Sequence, residues 1–409
     1  MTTVAGESTV MSDDVQIAVY TSLEQLEQLR PIWGGLSFHL ETDLDFFLRV
    51  VAVRPEFIAP CVLLAKRGGT PVAMLVGRLE RVTLRSRIVC VPLPGLPVRQ
   101  FVFVCFGCKD LSAPIAELLV RHIIELLKAH VADRAVLSHC IRGSPLHTGV
   151  RGLPNPVMRD YFPDVRARWR LLLPDSYEKF LQDMNSRKRT RLRYCIHRIE
   201  KAFRSEWNVR IFSRPGETDQ FFAAAERIAS KSWQRDLGKG FLNGEEEHRR
   251  IITNADNGWW RAYILYIKDR PVAFWTGEFY RKEFSLLYTA FDPEYRIYRV
   301  GLALLLKLIE DMCGLHARLI DFGVGTQYYK ELLGNDFHLE AEVTLHAPSA
   351  RGILANVLGS ATAFLNNASV VLMNRIGLQK LDPGWKAHRD FKSLHQLQSI
   401  EKDYASGNN

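Results

Sequence analysis

"FSLLYTAFDPEYRIYRVGLALLLKLIE", residues 284–310, contains a strand, a turn and a long helix in close succession. The β-rich run ends at Phe291, Asp292-Pro293 turns the chain, and an apolar helix opens at about Arg299-Val300-Gly301. The first turn of a helix leaves backbone N–H groups unsatisfied at the positive end of its dipole, so it suits a pyrophosphate. A glycine there removes the side chain that would hold a phosphate away, and Arg296 and Arg299 flank the entrance.

Upstream, "WWRAYILYI", "PVAFWTGEFY" and "FSLLYTAF" read as three antiparallel strands joined by turns at Lys268-Asp269-Arg270 and Arg281-Lys282. Downstream come a strand "ARLIDFG", a short helix "TQYYKELLG" and a strand "HLEAEVTLH". A meander followed by helix, strand, helix and strand predicts an α+β fold on a mixed sheet. "PVAFWTG" at 271–277 also echoes "PVAMLVG" at 71–77, a separation of 271 − 71 = 200 residues. Each copy follows a turn and is followed by helix and strand, which points to duplication.

The chain has 409 residues, 47% apolar and 24% charged, which suits two globular domains. Lysine and arginine exceed the acids by 54 − 45 = 9, which implies an anionic ligand or surface. A helix over roughly 176–204 opens on a capping box at Asp175 and Glu178, with Tyr177, Leu181, Met184, Leu192, Cys195 and Ile199 along one face. Between 187 and 204 it holds eight Lys or Arg against one acid, Glu200. Like charges at that density repel one another unless something anionic lies close.

Other signals exclude rather than assign. Seven cysteines, an odd number and mostly in apolar stretches, read as buried thiols of a reducing cytoplasm. Cys105-x-x-Cys108 has no second pair of metal ligands, and "EEEH" at 245–248 has no matching histidines, so no metal is expected. "DFG" at 321–323 lacks the glycine-rich loop and catalytic sequence of a kinase. Residues 1–14 read as a disordered tail without the features of a signal peptide. The stretch 352–373 is interrupted by Asn356, Asn366 and Asn367 and reads as a buried or amphipathic helix, with no integral membrane segment.

The basic "NSRKRTRLRYCIHRIEK", "SKSW" at 230–233, "DRPVAFWTGEF", "AFDPEYRIYRVGLALL" and "IDFGVGTQYYKELLG" together resemble the GNAT acyltransferases. More narrowly they resemble the GNAT-type domain associated with bacterial cellulose and exopolysaccharide biosynthesis, which is similar to the Fem-type transferases with two GNAT-like halves. The resemblance implies two tandem GNAT-like domains, each a mixed, mostly antiparallel sheet flanked by helices. The expected division is an N-terminal domain over 15–165, an acyltransferase domain over 166–347 and a helical extension over 348–409.

It also implies an N- or O-acyltransferase that takes an acyl group from acetyl-CoA or another acyl-CoA. The donor pyrophosphate would lie on Arg299, Val300, Gly301, Leu302 and Ala303 beside Arg296, although Tyr298 stands where the family has Gln or Arg. A backbone N–H near the end of "FSLLYTAF" would polarise the thioester carbonyl. Tyr329 is the candidate general acid, Asp321 the base or acceptor-orienting carboxylate, and Lys330 a partner of phosphate or Asp321. Glu278 is a second candidate base. Arg187, Arg191 and Trp233 would bind a saccharide or other anionic acceptor. Two alternatives stand beside this reading: a Fem-like transferase using aminoacyl-tRNA, and a non-catalytic scaffold.

Overall fold

The computed structural model describes residues 15–88, 91–106, 111–153, 156–161, 163–232, 235, 240–325 and 327–376. The tail expected over 1–14 and the extension beyond 376 lie outside the described residues, as do Cys90, Cys108 and Trp233. The described residues divide into two units: 15–166 together with 338–376, and 167–337.

The first unit begins with β1 (Val15–Tyr20), α1 (Leu23–Gln28), α2 (Arg30–Leu36) and α3 (Leu44–Val53). Then come β2 (Phe57–Pro60), β3 (Val62–Arg67), β4 (Thr70–Leu84), β5 (Arg87–Ile88), β6 (Val91–Pro92) and β7 (Leu96–Val104). It continues with α4 (Ala113–Lys128), β8 (Arg134–Ile141) and α5 (Pro145–Arg151). The second unit takes up β9 (Asp164–Leu172), α6 (Tyr177–Asp183), α7 (Ser186–Phe203), β10 (Trp207–Phe212), α8 (Thr218–Ala229) and α9 (Glu245–Asp256). The strands β11 (Trp260–Ile267), β12 (Arg270–Tyr280) and β13 (Glu283–Phe291) lead to α10 (Val300–Gly314), β14 (Leu319–Val324) and α11 (Tyr328–Leu333). The chain then runs through β15 (Asp336–His346) into α12 (Ala350–Ile376).

Both units are α+β, and their sheets follow one plan. The strand orders are β1-β3-β4-β7-β8-β15, with β2 beside β4, and β10-β11-β12-β13-β14-β9. Each is a mixed sheet, mostly antiparallel, with a parallel pair at β7–β8 or β13–β14. The last strand of each plan is exchanged along the chain. β9 follows α5 yet pairs with β14, and β15 follows α11 yet pairs with β8. β15, expected in the second domain, therefore belongs with the first unit.

The repeated motif has a register to match its wording. Ala65 opposes Ala73 and Lys66 opposes Pro71, while Leu265 opposes Ala273 and Tyr266 opposes Pro271, so the same irregularity recurs 200 positions later. Both hairpins turn through two left-handed residues, Gly68-Gly69 and Lys268-Asp269, the backbone that matches strand twist in a two-residue turn. The glycine closing each copy has its own reason. A Cβ on Gly77 would strike the Phe103 ring and lie 2.9 Å from the Val102 carbonyl, and one on Gly277 would strike the Ser285 carbonyl and the Phe284 ring.

Alternation along the strands builds two apolar layers in the first unit. Val62, Leu64, Met74 and Val76 pack under α1–α3, while Leu63, Ala65, Ala73 and Leu75 pack with Ile115, Leu119 and Ile123 of α4. In the second unit Phe274, Ala290, Ala262 and Ile264 share a cluster with Phe221 and Phe222 of α8 and Ile251 of α9. α10 covers strands of the same sheet through buried Ala303, Leu304 and Leu308.

The long basic helix is two helices. Met184 is extended, and the Asn185 side chain caps a fresh start by accepting from the Lys188 N–H at 2.8 Å. An asparagine able to satisfy a free amide competes with continuing the helix through it. The first cap is Ser176, which accepts from Lys179 N–H, instead of the expected Asp175. Leu192, Cys195 and Ile199 are buried along α7 as expected, whereas Phe180 is the buried residue of α6. Among the described residues no helix is long and apolar enough to cross a membrane.

Candidate active site

The two parallel strand pairs differ where chemistry would need room. In the first unit Gln100–Val104 stay paired with Arg134–Ser138, and the Cys105 N–H extends the ladder to the Ser138 carbonyl at 3.0 Å. In the second unit only Glu283–Ser285 pair with Leu319–Asp321. Beyond Ser285 the strands part. Each carries a bulge at that level, between Thr276 and Gly277 in the β12–β13 ladder and between Asp321 and Gly323 in the β14–β9 ladder. An extra residue on one side of a ladder bends and twists the strand, which is how two neighbours separate.

The opening is lined by backbone. The Asp292 N–H reaches across to the Val272 carbonyl at 2.8 Å, so alternation directs Ala290 and Tyr288 the same way. The N–H and C=O groups of Thr289 and Phe291 therefore face the side that β14 has left.

At the end of β13 a 3-10 turn, Pro293–Tyr298, leads to Arg299, whose left-handed backbone (φ 54°) caps α10. Both the Leu302 and Ala303 N–H groups bond the Arg299 carbonyl at 3.0 Å. The expected seat over Arg299–Ala303 thus narrows to the amides of Val300 and Gly301, which donate no backbone bond among the described residues. A Cβ on Gly301 would approach nothing closer than 3.6 Å, the Phe291 ring, so its surroundings have room for a ligand group. Arg296 and Arg299 are exposed beside it.

Tyr329 lies in the first turn of α11, on the far side of the gap. Its ring lies edge-on to Trp275 at 5.1 Å and to Phe322 at 5.7 Å. Burial pushes its phenol well above tyrosine's ordinary range, so it stays protonated at neutral pH. The indole N–H of Trp275 donates to the Gly301 carbonyl at 2.9 Å. Trp275 sits inside the repeated motif, yet sequence reading passed over it because its partners lie 26 and 54 residues away (301 − 275 and 329 − 275).

Asp321, the expected base, is held by its neighbours. Arg168 holds its Oδ2 with two nitrogens, at 2.8 and 2.5 Å, and the Gly323 N–H donates to Oδ1 at 2.7 Å. The pair is buried, and it ties the end of β14 to β9. Lys330 donates to the carbonyls of Val324 at 2.7 Å and Gly323 at 3.3 Å, and so holds the same end of β14 from α11. Burial lowers its ammonium to about 8, with Asp321 opposing that shift. Glu278, the other expected base, is also committed: Arg250 and Asn254 donate to its Oε1 at 2.7–3.0 Å.

α7 runs beside both walls. Arg191 lies 5.1 Å over the Tyr328 ring, and Phe203 meets Tyr298 edge-on at 4.8 Å. Arg187, Lys188 and Arg191 line a groove of about 280 Å³ with Tyr328, Glu331 and Leu332 of α11. The expected Arg187 and Arg191 are thereby brought together beside Tyr328, while Trp233 lies outside the described residues. None of the eight cations pairs with a carboxylate among the described residues; the ion pair on α7 is His197 with Glu200 at 3.9 Å. Among the described residues no group of three or more His, Cys, Asp or Glu is placed to hold a metal.

No curated protein matches this chain. Solved structures to which it is similar include the C-terminal domain of a putative lysylphosphatidylglycerol synthetase from Agrobacterium fabrum, at 10% identity and TM-score 0.47, covering 82% of this chain and 96% of that one. FemX is similar at 12% identity and TM-score 0.49, covering 70% and 88%. A tandem GNAT protein from the clavulanic acid biosynthesis pathway is similar at 13% identity and TM-score 0.44, covering 82% and 99%. Residues 186–331, which lie within the second unit and contain the parted strands, match the acetyltransferase (GNAT) domain family.

Proposed function

We propose that the second unit is the working half of an acyltransferase, moving an acyl group, acetyl foremost, from acyl-CoA to an amine or hydroxyl. The observation that carries this reading is the parting of β13 from β14 in the one unit and the closed β7–β8 ladder in the other. A thioester donor needs an extended slot with backbone partners, and the edge at Thr289 and Phe291 offers one. Its pyrophosphate would take the Val300 and Gly301 amides, with Arg296 and Arg299 beside them.

The acceptor's nitrogen or oxygen attacks the thioester carbonyl carbon, the C–S bond breaks, and the thiolate leaves with a proton. Tyr329, kept protonated by burial, donates that proton, and an edge amide stabilises the charge on the carbonyl oxygen. With Asp321 and Glu278 both held by arginines, the proton lost by the acceptor goes to water, and Tyr329 regains its own proton from water. Holding the two reactants together supplies much of the acceleration. A sugar-containing or anionic acceptor, in exopolysaccharide assembly, follows from the resemblance of the motifs and from Arg187 and Arg191 on the groove.

The cations of α7, none paired with a carboxylate among the described residues, favour one second reading, in which the donor is an aminoacyl-tRNA whose phosphates lie on that helix. Thermal shift with acetyl-CoA, longer acyl-CoAs and tRNA separates the two. Stabilisation by a CoA thioester supports the first, and stabilisation by tRNA that fades steeply with added salt supports the second. A shift from neither contradicts both and leaves the non-catalytic scaffold.

A further inference from the structure

The two copies of the Pro-Val-Ala motif differ at a position the site uses: Leu75 in the first unit corresponds to Trp275 in the second, 200 residues on. Both are buried, so burial alone does not account for an indole in one and a leucine in the other. The difference tracks the sheets. Leu75 belongs to a unit whose parallel pair is zipped through Val104 and Ser138, and Trp275 to the unit whose pair ends at Ser285 and Asp321.

Parting the strands removes a constraint. The head of α10 follows β13 and the head of α11 follows β14, and past Ser285 no ladder fixes one against the other. Trp275 touches both. Its N–H bonds the Gly301 carbonyl at 2.9 Å, and its ring packs edge-on against Tyr329 at 5.1 Å, with Phe322 backing Tyr329 from 5.7 Å. The indole has a rigid ring for one contact and a directional donor for the other, a combination neither leucine nor phenylalanine provides.

We propose that Trp275 is the positioning residue that sets the donor seat at Gly301 against Tyr329, taking the place of the ladder that the parted strands lack. It acts through those two residues, and its catalytic consequence rests on the acyl-CoA reading above. An error of about 1 Å between seat and acid is enough to cost on the order of a hundredfold in rate, so a rigid strut is worth having there.

Three variants test it: Trp275→Phe, which keeps a ring but loses the N–H; Trp275→Leu, which loses both; and Leu75→Ala as a destabilised control in the first unit. With acetyl-CoA, Trp275→Phe is expected to raise KM about fivefold with kcat within about twofold, the loss of one hydrogen bond at the seat. Trp275→Leu is expected to lower kcat by about tenfold more as Tyr329 loses its register. Amide exchange, which needs no substrate, is expected to quicken together at the heads of α10 and α11 in Trp275→Leu and at neither in Leu75→Ala. Wild-type exchange at either helix head in Trp275→Leu would overturn the proposal, and so would the same kinetic losses in Leu75→Ala. If the wild-type protein neither binds nor turns over acetyl-CoA, the donor reading has failed, and the exchange arm still decides whether Trp275 is the strut.

Discussion

Gly301 allows size to be separated from charge at the head of α10. A methyl group there meets only the Phe291 ring, at ordinary contact distance. Gly301→Ala should therefore keep acyl-CoA affinity within a few-fold, while Gly301→Glu, which places a carboxylate where phosphate would sit, should abolish it. Isothermal titration on both variants checks this, and equal losses would mean that the pocket excludes bulk and does not seat phosphate. Lys330 makes a prediction in pH. Its folded-state value is lowered to about 8 from lysine's 10.5, so the unfolded chain holds more protons between those values and stability rises with pH across that window. The relief amounts to roughly 3 kcal/mol. Urea unfolding from pH 7.5 to 10.5 should show that rise in the wild-type protein relative to Lys330→Met, and parallel curves would contradict it.

At the scale of elements, the closing glycines of the motif carry the strongest demand. Gly277→Ala drives a methyl group into the Ser285 carbonyl and the Phe284 ring, and Gly77→Ala into the Phe103 ring near the Val102 carbonyl. Both rings are fully buried, so they have nowhere to move. Each variant should lose about 1–3 kcal/mol, the range for overpacking, in chemical denaturation. The strands were legible in the sequence because period-2 alternation and turn residues are local, and the repeat was legible because "PVA" recurs after a turn. The parting of β13 from β14 was not, since it depends on which strand lies alongside and on bulges at Leu287 and Phe322 that no spacing announces. Asp321 read as a free carboxylate for the same reason: its partner, Arg168, lies 153 residues earlier. The break at Met184-Asn185 could have been found, because Asn-Ser before a basic run is an N-cap signal.

For the whole chain, the exchanged strands make a cut between the apparent halves a poor one. Ala341, Val343 and Leu345 of β15 are part of the first unit's core, and Asn356 of α12 donates to the carbonyls of Val157 and Arg159. A fragment ending at Arg166 lacks these groups and leaves the edge of β8 bare. It should be unfolded or aggregated when expressed alone, and should gain cooperative unfolding when residues 338–376 are fused to it through a linker. A cooperative transition from the short fragment would contradict the observed division. The measurement that bears most directly on the central claim is amide exchange of the full chain with and without saturating acetyl-CoA. Protection confined to Thr289–Phe291 and Val300–Gly301 is the expected result, with β7 and β8 of the first unit unchanged. Protection at the β7–β8 ladder in their place, or none at the parted strands, would contradict it.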